Sequence, residues 1–531
     1  MRSLRLSLHT AGFRPRLMVG AVIAPDPFPE AQPDPNDMAE AGQLFLLQPP
    51  AEGAMKLAGR RGGLQIRKRN KGKLAKFTAW DCFDGSIRSS GRLLVERGSK
   101  LHLLGPGHVL TQSAKRTGNF LHDLRAGPVK DALSGLFPLR CLLPAASGRL
   151  ARRRYRFTWK QAGRGSMVRW HFSGAFGSIS LVEVLAEPGE PRDAAVQLLA
   201  ALGAEPAVPG ALYALLAPGR PVYILKPPVP LAPEQPALEA AAALIRSCLG
   251  VARQNEPGIA ADHDSEFLHD YRISLRRIRS VLSLFKGVFT ARDAARLKQA
   301  FSGLMDATGR LRDLDVYLLQ REGFYARVPE QLHPGLDAMF RAFEAERQQG
   351  HQRVAQYLAG ARYKRHITAL QAEFAETAAI APGPKAGRPA LQLAQKLIWK
   401  RYSKVCRIAA GITADTPDSE VHELRINCKK LRYLMELFEP LFESAELKAV
   451  LKPLKRLQNT LGDFNDCSVQ QAALLKFAGS PAATREIALS AGALIAVLHQ
   501  NQRDARAMVG EKFQAFDSPE TQRRFRAMFS G

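Results

Sequence analysis

From Ala237 onward, apolar residues return every three or four positions, the spacing of helices that bury one face. LHDYRISLRRIRSVLSLF (268–285) and VHELRINCKKLRYLMELF (421–438) show it most clearly. Upstream the pattern differs. Between Gln43 and Ala204, short apolar runs such as QLFLLQ, GRLLVERGSKLHLL, YRFTW, MVRWHFSG and SISLVEVL are punctuated by glycine, which predicts β-strands joined by turns. One helix, RDAAVQLLAAL, follows them. Residues 205–236 hold nine prolines and read as an extended linker. Residues 1–42, rich in proline and small residues, read as a disordered leader. The layout expected is multidomain α+β: a leader 1–42, a β domain 43–204, a linker 205–236 and an all-α domain 237–520. A Gly/Pro break at APGPKAGRPA divides the α domain into halves at 237–380 and 390–520.

Those halves are copies. The two helical segments quoted above align without a gap at an offset of 153, and the same offset aligns LMDATGRLRDLDV (304–316) with LQNTLGDFNDCSV (457–469). Gly309 then matches Gly462, and Asp313 matches Asp466. Two separate blocks in one register mean a duplicated helical unit packed with pseudo-two-fold symmetry.

Charge narrows the partners. The 531 residues carry 76 Lys+Arg against 49 Asp+Glu, a net +27. Such an excess repels itself on compaction and points to a polyanion. No apolar run reaches the roughly 18 residues that cross a bilayer. The six cysteines form no C-x-x-C pair, which argues against a zinc site or a disulfide scaffold and fits a reducing cytoplasm.

The cations are ordered. On a helical wheel of about 100° per residue, His269, Arg272, Arg276 and Arg279 share an arc of roughly 80°, beside an apolar arc of Leu275, Ile278, Leu282 and Phe285. The second copy repeats this with His422, Arg425, Lys429 and Arg432 beside Cys428, Leu431, Met435 and Phe438. Arg277 and Lys430 flank the stripes. Four cations a turn apart cost roughly 0.2–0.5 kcal/mol per pair unless something answers them, and an ordinary solvated face intersperses glutamates. Guanidinium forks suit phosphate oxygens, and histidine becomes a further donor among anions. Lys396, Lys400, Lys404 and Arg407 add another basic face, and Lys452, Lys455 and Arg456 precede the second Gly-Asp block. Asp313 and Asp466 read as helix caps or arginine partners. No metal-binding carboxylate pair, Gly-rich phosphate loop or nucleophile–base pair stands out in 237–531, so binding is favoured over catalysis.

The blocks H-D-x-R-I-x-x-R-R-I-R … G-R-L-R-D-L-D-V and H-E-L-R-I-x-x-K-K-L-R-Y … L-G-D-F-N-D resemble the CHAD family, the conserved histidine α-helical domain. The resemblance covers 237–520 and implies two pseudo-symmetric helical bundles around a basic pore or groove that binds inorganic polyphosphate. Carried onto this sequence, the family's basic residues are His269, Arg272, Arg276, Arg277, Arg279, His422, Arg425, Lys429, Lys430, Arg432 and Lys455. Residues 43–204 resemble a CYTH domain, an antiparallel β-barrel or tunnel that hydrolyses triphosphate with metals held by glutamates; FTAWDCFDGSIRSSGRLLVE and SISLVEVLAEPGEPRDAAVQLLAAL carry the likeness. QLFLL stands where that family's E-x-E-x-K would open the domain, and the late acidic strand keeps Glu183 alone. The expectation is therefore a degenerate CYTH-like domain with no metal, no cofactor and no catalytic residue. A tunnel holding two divalent ions needs several convergent carboxylates.

The function expected is polyphosphate binding in the cytoplasm, in association with polyphosphate granules. A triphosphatase acting through the β domain is the first rival. Nucleic-acid binding is the second: Tyr271 and Tyr433 point off the stripes, which leaves no stacking aromatics among the cations. The run Arg60–Lys76, with eight cations and no acid, is a candidate second anion contact or a solvated loop.

Overall fold

The computed structural model describes residues 43–47, 57–160, 163–376, 380–413, 416–481 and 483–530. The expected leader 1–42 lies outside them. The described residues form two compact units: 43–227 with 255–270, and 228–254 with 271–530.

The first unit is an antiparallel sheet. Its strands are β1 (Gln43–Leu47), β2 (Gly59–Arg61), β3 (Leu64–Lys68), β4 (Leu74–Cys82), β5 (Leu93–Arg97), β6 (Lys100–Gly105), β7 (His108–Ser113), β8 (Leu142–Trp159), β9 (Gly163–Gly174), β10 (Gly177–Leu185) and β11 (Glu205–Pro206). The helices are α1 (Ser86–Ser89), α2 (Pro128–Leu133), α3 (Glu190–Ala201) and α4 (Leu212–Leu216). The strand order is β11-β1-β10-β9-β8-β4-β5-β6-β7. The long β8 pairs with β4 through its first half and with β3 through its second. A closed barrel was expected; among the described residues the sheet is open, with β11 and β7 as its ends.

Both faces are covered. Alternation along each strand sends Leu44, Leu150, Val168, Trp170, Phe172, Ile179 and Leu181 to one core. Their neighbours Phe45, Phe157, Met167, Val182 and Val184 go to another. The first core also takes Leu93, Val95 and Leu104 from β5 and β6, so the sheet curls: a flat sheet this wide would not gather those strands into one cluster. Residues 205–216, the beginning of the proline-rich stretch, belong to this unit. β11 pairs with β1, and Leu212, Tyr213 and Leu216 are buried in the first core. Proline at helix and strand ends is compatible with packing, which is why composition alone read this stretch as linker.

The second unit is helical. α5 (Ala237–Ala260), α6 (Ser265–Leu284), α7 (Ala291–Ala307), α8 (Gly309–Leu319), α9 (Arg321–Tyr325), α10 (His333–Ala359) and α11 (Ala361–Ala375) form the first repeat. The second comprises α12 (Ala390–Ala410), α13 (Asp418–Leu437), α14 (Ser444–Ala478), α15 (Arg485–Ala507), α16 (Val509–Phe516) and α17 (Pro519–Phe529). The turn between α5 and α6, within 255–270, groups with the sheet unit. There Gly258 lies against Phe267, and a Cβ would sit 2.2 Å from that ring, so only glycine lets the two helices approach.

The offset of 153 carries α6 onto α13 residue for residue, and α7 with α8 onto the single α14. The repeats differ at Thr308, which is Leu461 in the second copy. The buried Thr308 hydroxyl bonds back to the carbonyls of Leu304 and Met305, and the helix breaks there. With leucine at that position, α14 runs through. The shared core joins Leu314 and Phe343 of the first repeat to Cys467, Leu474 and Leu494 of the second. α10 and α15, equivalent helices, pack on each other.

Candidate anion-binding site

The apolar arcs of α6 and α13 sink as their periodicity requires: Leu275, Ile278, Leu282 and Phe285, like Cys428, Leu431, Met435 and Phe438, are at most 2% exposed. That burial fixes where the adjoining cationic arcs lie. Arg276 and His422 are exposed, and the other nine predicted residues are half-buried. Ten of the eleven fall in the helical unit, with Lys455 on α14; His269, near the start of α6, falls in the sheet unit.

Within the helical unit the two repeats act on each other electrostatically. Burial lowers the pKa of Arg425, and the guanidinium of Arg276, from the other repeat, lowers it further. Lys429 is held down to about 8, first by burial and then by Arg425, with Arg276 and Arg432 adding to it. Arg276 likewise lowers Arg272, behind burial. Arg276, Arg277, Arg279, Lys429 and Lys430 have no carboxylate within ion-pair distance among the described residues; the pairs nearby are Lys404–Glu423, Arg425–Asp466 and Arg432–Glu436. The Nε atoms of Arg425 and Arg432 are buried with no hydrogen-bond partner. A guanidinium nitrogen withdrawn from water without an acceptor is costly.

The two copies hold their arginines differently. Arg272 donates to the Met305 carbonyl at 2.6 Å and to the Thr308 hydroxyl at 2.7 Å, the groups exposed by the break between α7 and α8. Arg425 has only a long contact, 3.4 Å, to Asp466. Asp466 accepts in turn from Asn465, whose Oδ1 lies 2.8 Å from His422 Nδ1. Because that oxygen only accepts, Nδ1 carries the proton and Nε2 is left for another partner. Asp466 is thus an arginine partner, as the sequence indicated. Arg432 is partly engaged, 3.6 Å from Glu436 and 5.5 Å from the Tyr433 ring centre.

The flanking cations face elsewhere. Lys430 is lowered by burial and by Arg401, Lys404 and Lys286; Arg277 acts on the buried Cys248 of α5. Arg401 was not singled out in the sequence. Its NH1 donates to Asn427 at 2.6 Å while its Nε is buried without a partner. One signal for it existed: Arg401 occupies the position of Cys248 in the other repeat.

In the sheet unit, Glu183 is buried, and burial raises its pKa against the pull of Arg152. Glu266, His269 and Asp270 bring ligand atoms within 4.8 Å of one another. Asp270, however, is held by Arg140 and by the Tyr223 hydroxyl at 2.8 Å, donors that a cation would have to displace. Among the described residues no helix is long and apolar enough to cross a membrane.

No curated protein matches the chain. Among solved structures, it is similar to the CHAD domain from the plant Ricinus communis, at 27% identity over 55% of this chain and 96% of that one, with a TM-score of 0.47. It is also similar to PptA from Streptomyces chartreusis, at 16% identity over 53% of this chain and 100% of that one, with a TM-score of 0.41. The CHAD domain family model matches residues 243–475, the span that holds α6, α13 and every predicted anion-binding residue. Residues 243–475 of this chain are a CHAD domain.

Proposed function

We propose that this protein binds inorganic polyphosphate through the cationic faces of α6 and α13 and does not hydrolyse it. The observation that carries the reading is that α6 and α13 come together at the Phe285–Phe438 ring stack, with Arg276 of one repeat acting on Arg425 and Lys429 of the other and neither Arg276 nor Lys429 in an ion pair among the described residues. A linear chain of phosphates answers several such cations at once, and the counterions it releases drive binding. Within the helical unit Arg272, Arg279, His422, Arg432 and Lys455 would extend the seat along the helices.

In the same reading, the sheet unit is a degenerate CYTH-like domain. Its antiparallel strands, curled around a buried core, support this, and so does the isolation of Glu183 beside Arg152. Cytoplasmic residence at polyphosphate granules follows from the ligand proposed. The test is calorimetric titration of the full chain with long-chain polyphosphate at two salt concentrations. Affinity should fall with salt at a log–log slope near −0.7 per phosphate contacted. A flat salt response, or release of orthophosphate from tripolyphosphate with magnesium that Glu183→Ala abolishes, would overturn the reading.

A further inference from the structure

The two cationic stripes are built from arginine and histidine with a single exception, Lys429, which brings the one primary amine. Its counterpart in the first repeat, at the offset of 153, is Arg276. Lys429 is half-buried. Arg425 precedes it by one turn of α13 and Arg432 follows it by slightly less than a turn, spacings that share a helix face. Arg276 acts on it from α6, and Asp466 is the acid that acts in the opposite direction. Neither Lys429 nor Arg276 has a carboxylate within ion-pair distance among the described residues; Arg425 lies 3.4 Å from Asp466 and Arg432 lies 3.6 Å from Glu436.

This setting changes the chemistry of the amine. An ammonium has no lone pair and is inert as a nucleophile, whereas burial and neighbouring cations favour the neutral form. With its pKa held down to about 8, roughly a quarter of the Lys429 amines are neutral at about pH 7.5, against about one in a thousand for a lysine at 10.4.

The same surroundings select an electrophile. Guanidinium forks hold a phosphate group bidentately. In an acyl phosphate that group is bonded directly to the acyl carbon, so a phosphate seated on these arginines carries the carbon to the adjacent amine. A thioester donor has no charge next to its acyl group and gains nothing from the arginines.

We propose that Lys429 is a site of non-enzymatic acylation by acyl phosphates, with the neighbouring guanidinium groups holding the donor's phosphate and the ε-amine taking its acyl group. The Nζ lone pair attacks the acyl carbon and a carbon–nitrogen bond forms. The carbon–oxygen bond to the phosphate breaks, and inorganic phosphate leaves with that bonding pair. The proton shed by Nζ passes to the departing phosphate or to water. The amide carries no charge, so the modification removes one cation from the polyphosphate seat. Bound polyphosphate in turn covers the amine and favours its ammonium form, so ligand and modification exclude each other. This last consequence rests on the function proposed above; the acylation itself does not.

The experiment treats the full chain with acetyl phosphate and follows each lysine by peptide mass spectrometry, with tandem spectra separating Lys429 from Lys430. Lys429 should be acetylated at least about tenfold faster than the exposed Lys448 of α14 at about pH 7.5. N-hydroxysuccinimidyl acetate, an uncharged donor, isolates the contribution of the arginines. The preference for Lys429 over Lys448 should be at least about threefold greater with acetyl phosphate than with that ester, and the excess should shrink as salt is added. Arg276→Gln should slow Lys429 with acetyl phosphate and leave Lys448 unchanged, and Lys429→Arg should remove the fast-reacting site. Long-chain polyphosphate should protect Lys429 and not Lys448. Acetylation of Lys429 no faster than that of Lys448 would overturn the proposal and leave polyphosphate binding standing. Equal preference with the two donors would overturn the role given to the guanidinium groups. Fast acetylation that polyphosphate does not slow would uphold the acylation site and overturn the function assigned to the stripes.

Discussion

Phe285 and Phe438 occupy the same position in the two repeats, and their rings stack on each other with centroids 4.8 Å apart and planes 6° from parallel. A residue that meets its own counterpart marks the pseudo-two-fold axis. The stacking brings the ends of α6 and α13 together, as the action of Arg276 on Arg425 and Lys429 also requires. Truncation of either ring should be expensive: Phe285→Ala and Phe438→Ala are each expected to cost about 3–5 kcal/mol. Because the rings share one contact, the double variant should cost less than the sum. Urea denaturation followed by far-UV circular dichroism checks this, and strict additivity would show that the rings do not depend on each other.

Charge reversal on the stripes should separate binding from folding. Arg276 is exposed and Lys429 half-buried, and neither has an ion-pair partner among the described residues. Arg276→Glu with Lys429→Glu is expected to lower polyphosphate affinity at least a hundredfold at about 0.1 M salt, with helicity retained. The milder pair Arg276→Gln with Lys429→Gln should show the same direction. Loss of helicity in both pairs would make the stripe core structure and not a ligand seat.

Lys429 gives the binding a pH dependence. Its pKa, held down to about 8 by burial and then by Arg425, lies below the ordinary lysine value of about 10.4. An anion prefers the charged amine, so affinity should fall as pH rises above 8, by at most about tenfold per unit for one proton. Titration in two buffers of different ionisation enthalpy should reveal proton uptake near pH 8, and Lys429→Arg should abolish it. Stability moves the other way. Between about 8 and 10.4 the unfolded lysine binds more proton than the folded one, so this group's contribution to stability rises with pH across that window. Identical pH profiles for the parent and Lys429→Arg would show that another group titrates.

A buried charge cluster anchors the sheet unit. Arg140 reaches Asp264 at 3.1 Å and also pairs with Asp270, while Phe267 lies 4.9 Å from its guanidinium. Arg140→Met would leave two buried carboxylates unanswered and should cost about 3–5 kcal/mol. Three of the four tryptophans, Trp80, Trp159 and Trp170, belong to this unit, so fluorescence-detected urea unfolding reads the loss directly. An unchanged midpoint would mean that Asp264 and Asp270 are carried by other groups.

The helical repeat is legible in the sequence because two conditions coincide in it. The apolar arc must recur at helical period, and the duplicated segment keeps one register, so Phe285 and Phe438 or Arg276 and Lys429 can be paired by arithmetic alone. Which cations meet is not legible. Arg277 and Lys430 sit one residue from the stripe, yet act on Cys248 and among Arg401, Lys404 and Lys286. That outcome depends on helix packing, which a wheel does not contain. The Thr308 break is hidden for a similar reason: threonine is common inside helices, and its bond to the Met305 carbonyl becomes visible only in three dimensions. In the sheet unit the strands are legible but their partners are not. The opposition of Arg67 and Arg156 follows from long-range register between segments some ninety residues apart, and no local pattern encodes it.

The interruption between α7 and α8 has a consequence for how the two halves have diverged. It frees a carbonyl and a hydroxyl that together tether Arg272, whereas the uninterrupted α14 offers Arg425 no such anchorage. One copy therefore holds its guanidinium by neutral oxygens, and the other holds its own by a long contact to the carboxylate of Asp466. A scaffold built of two copies thus answers equivalent arginines in two ways, with neutral dipoles on one side and a negative charge on the other.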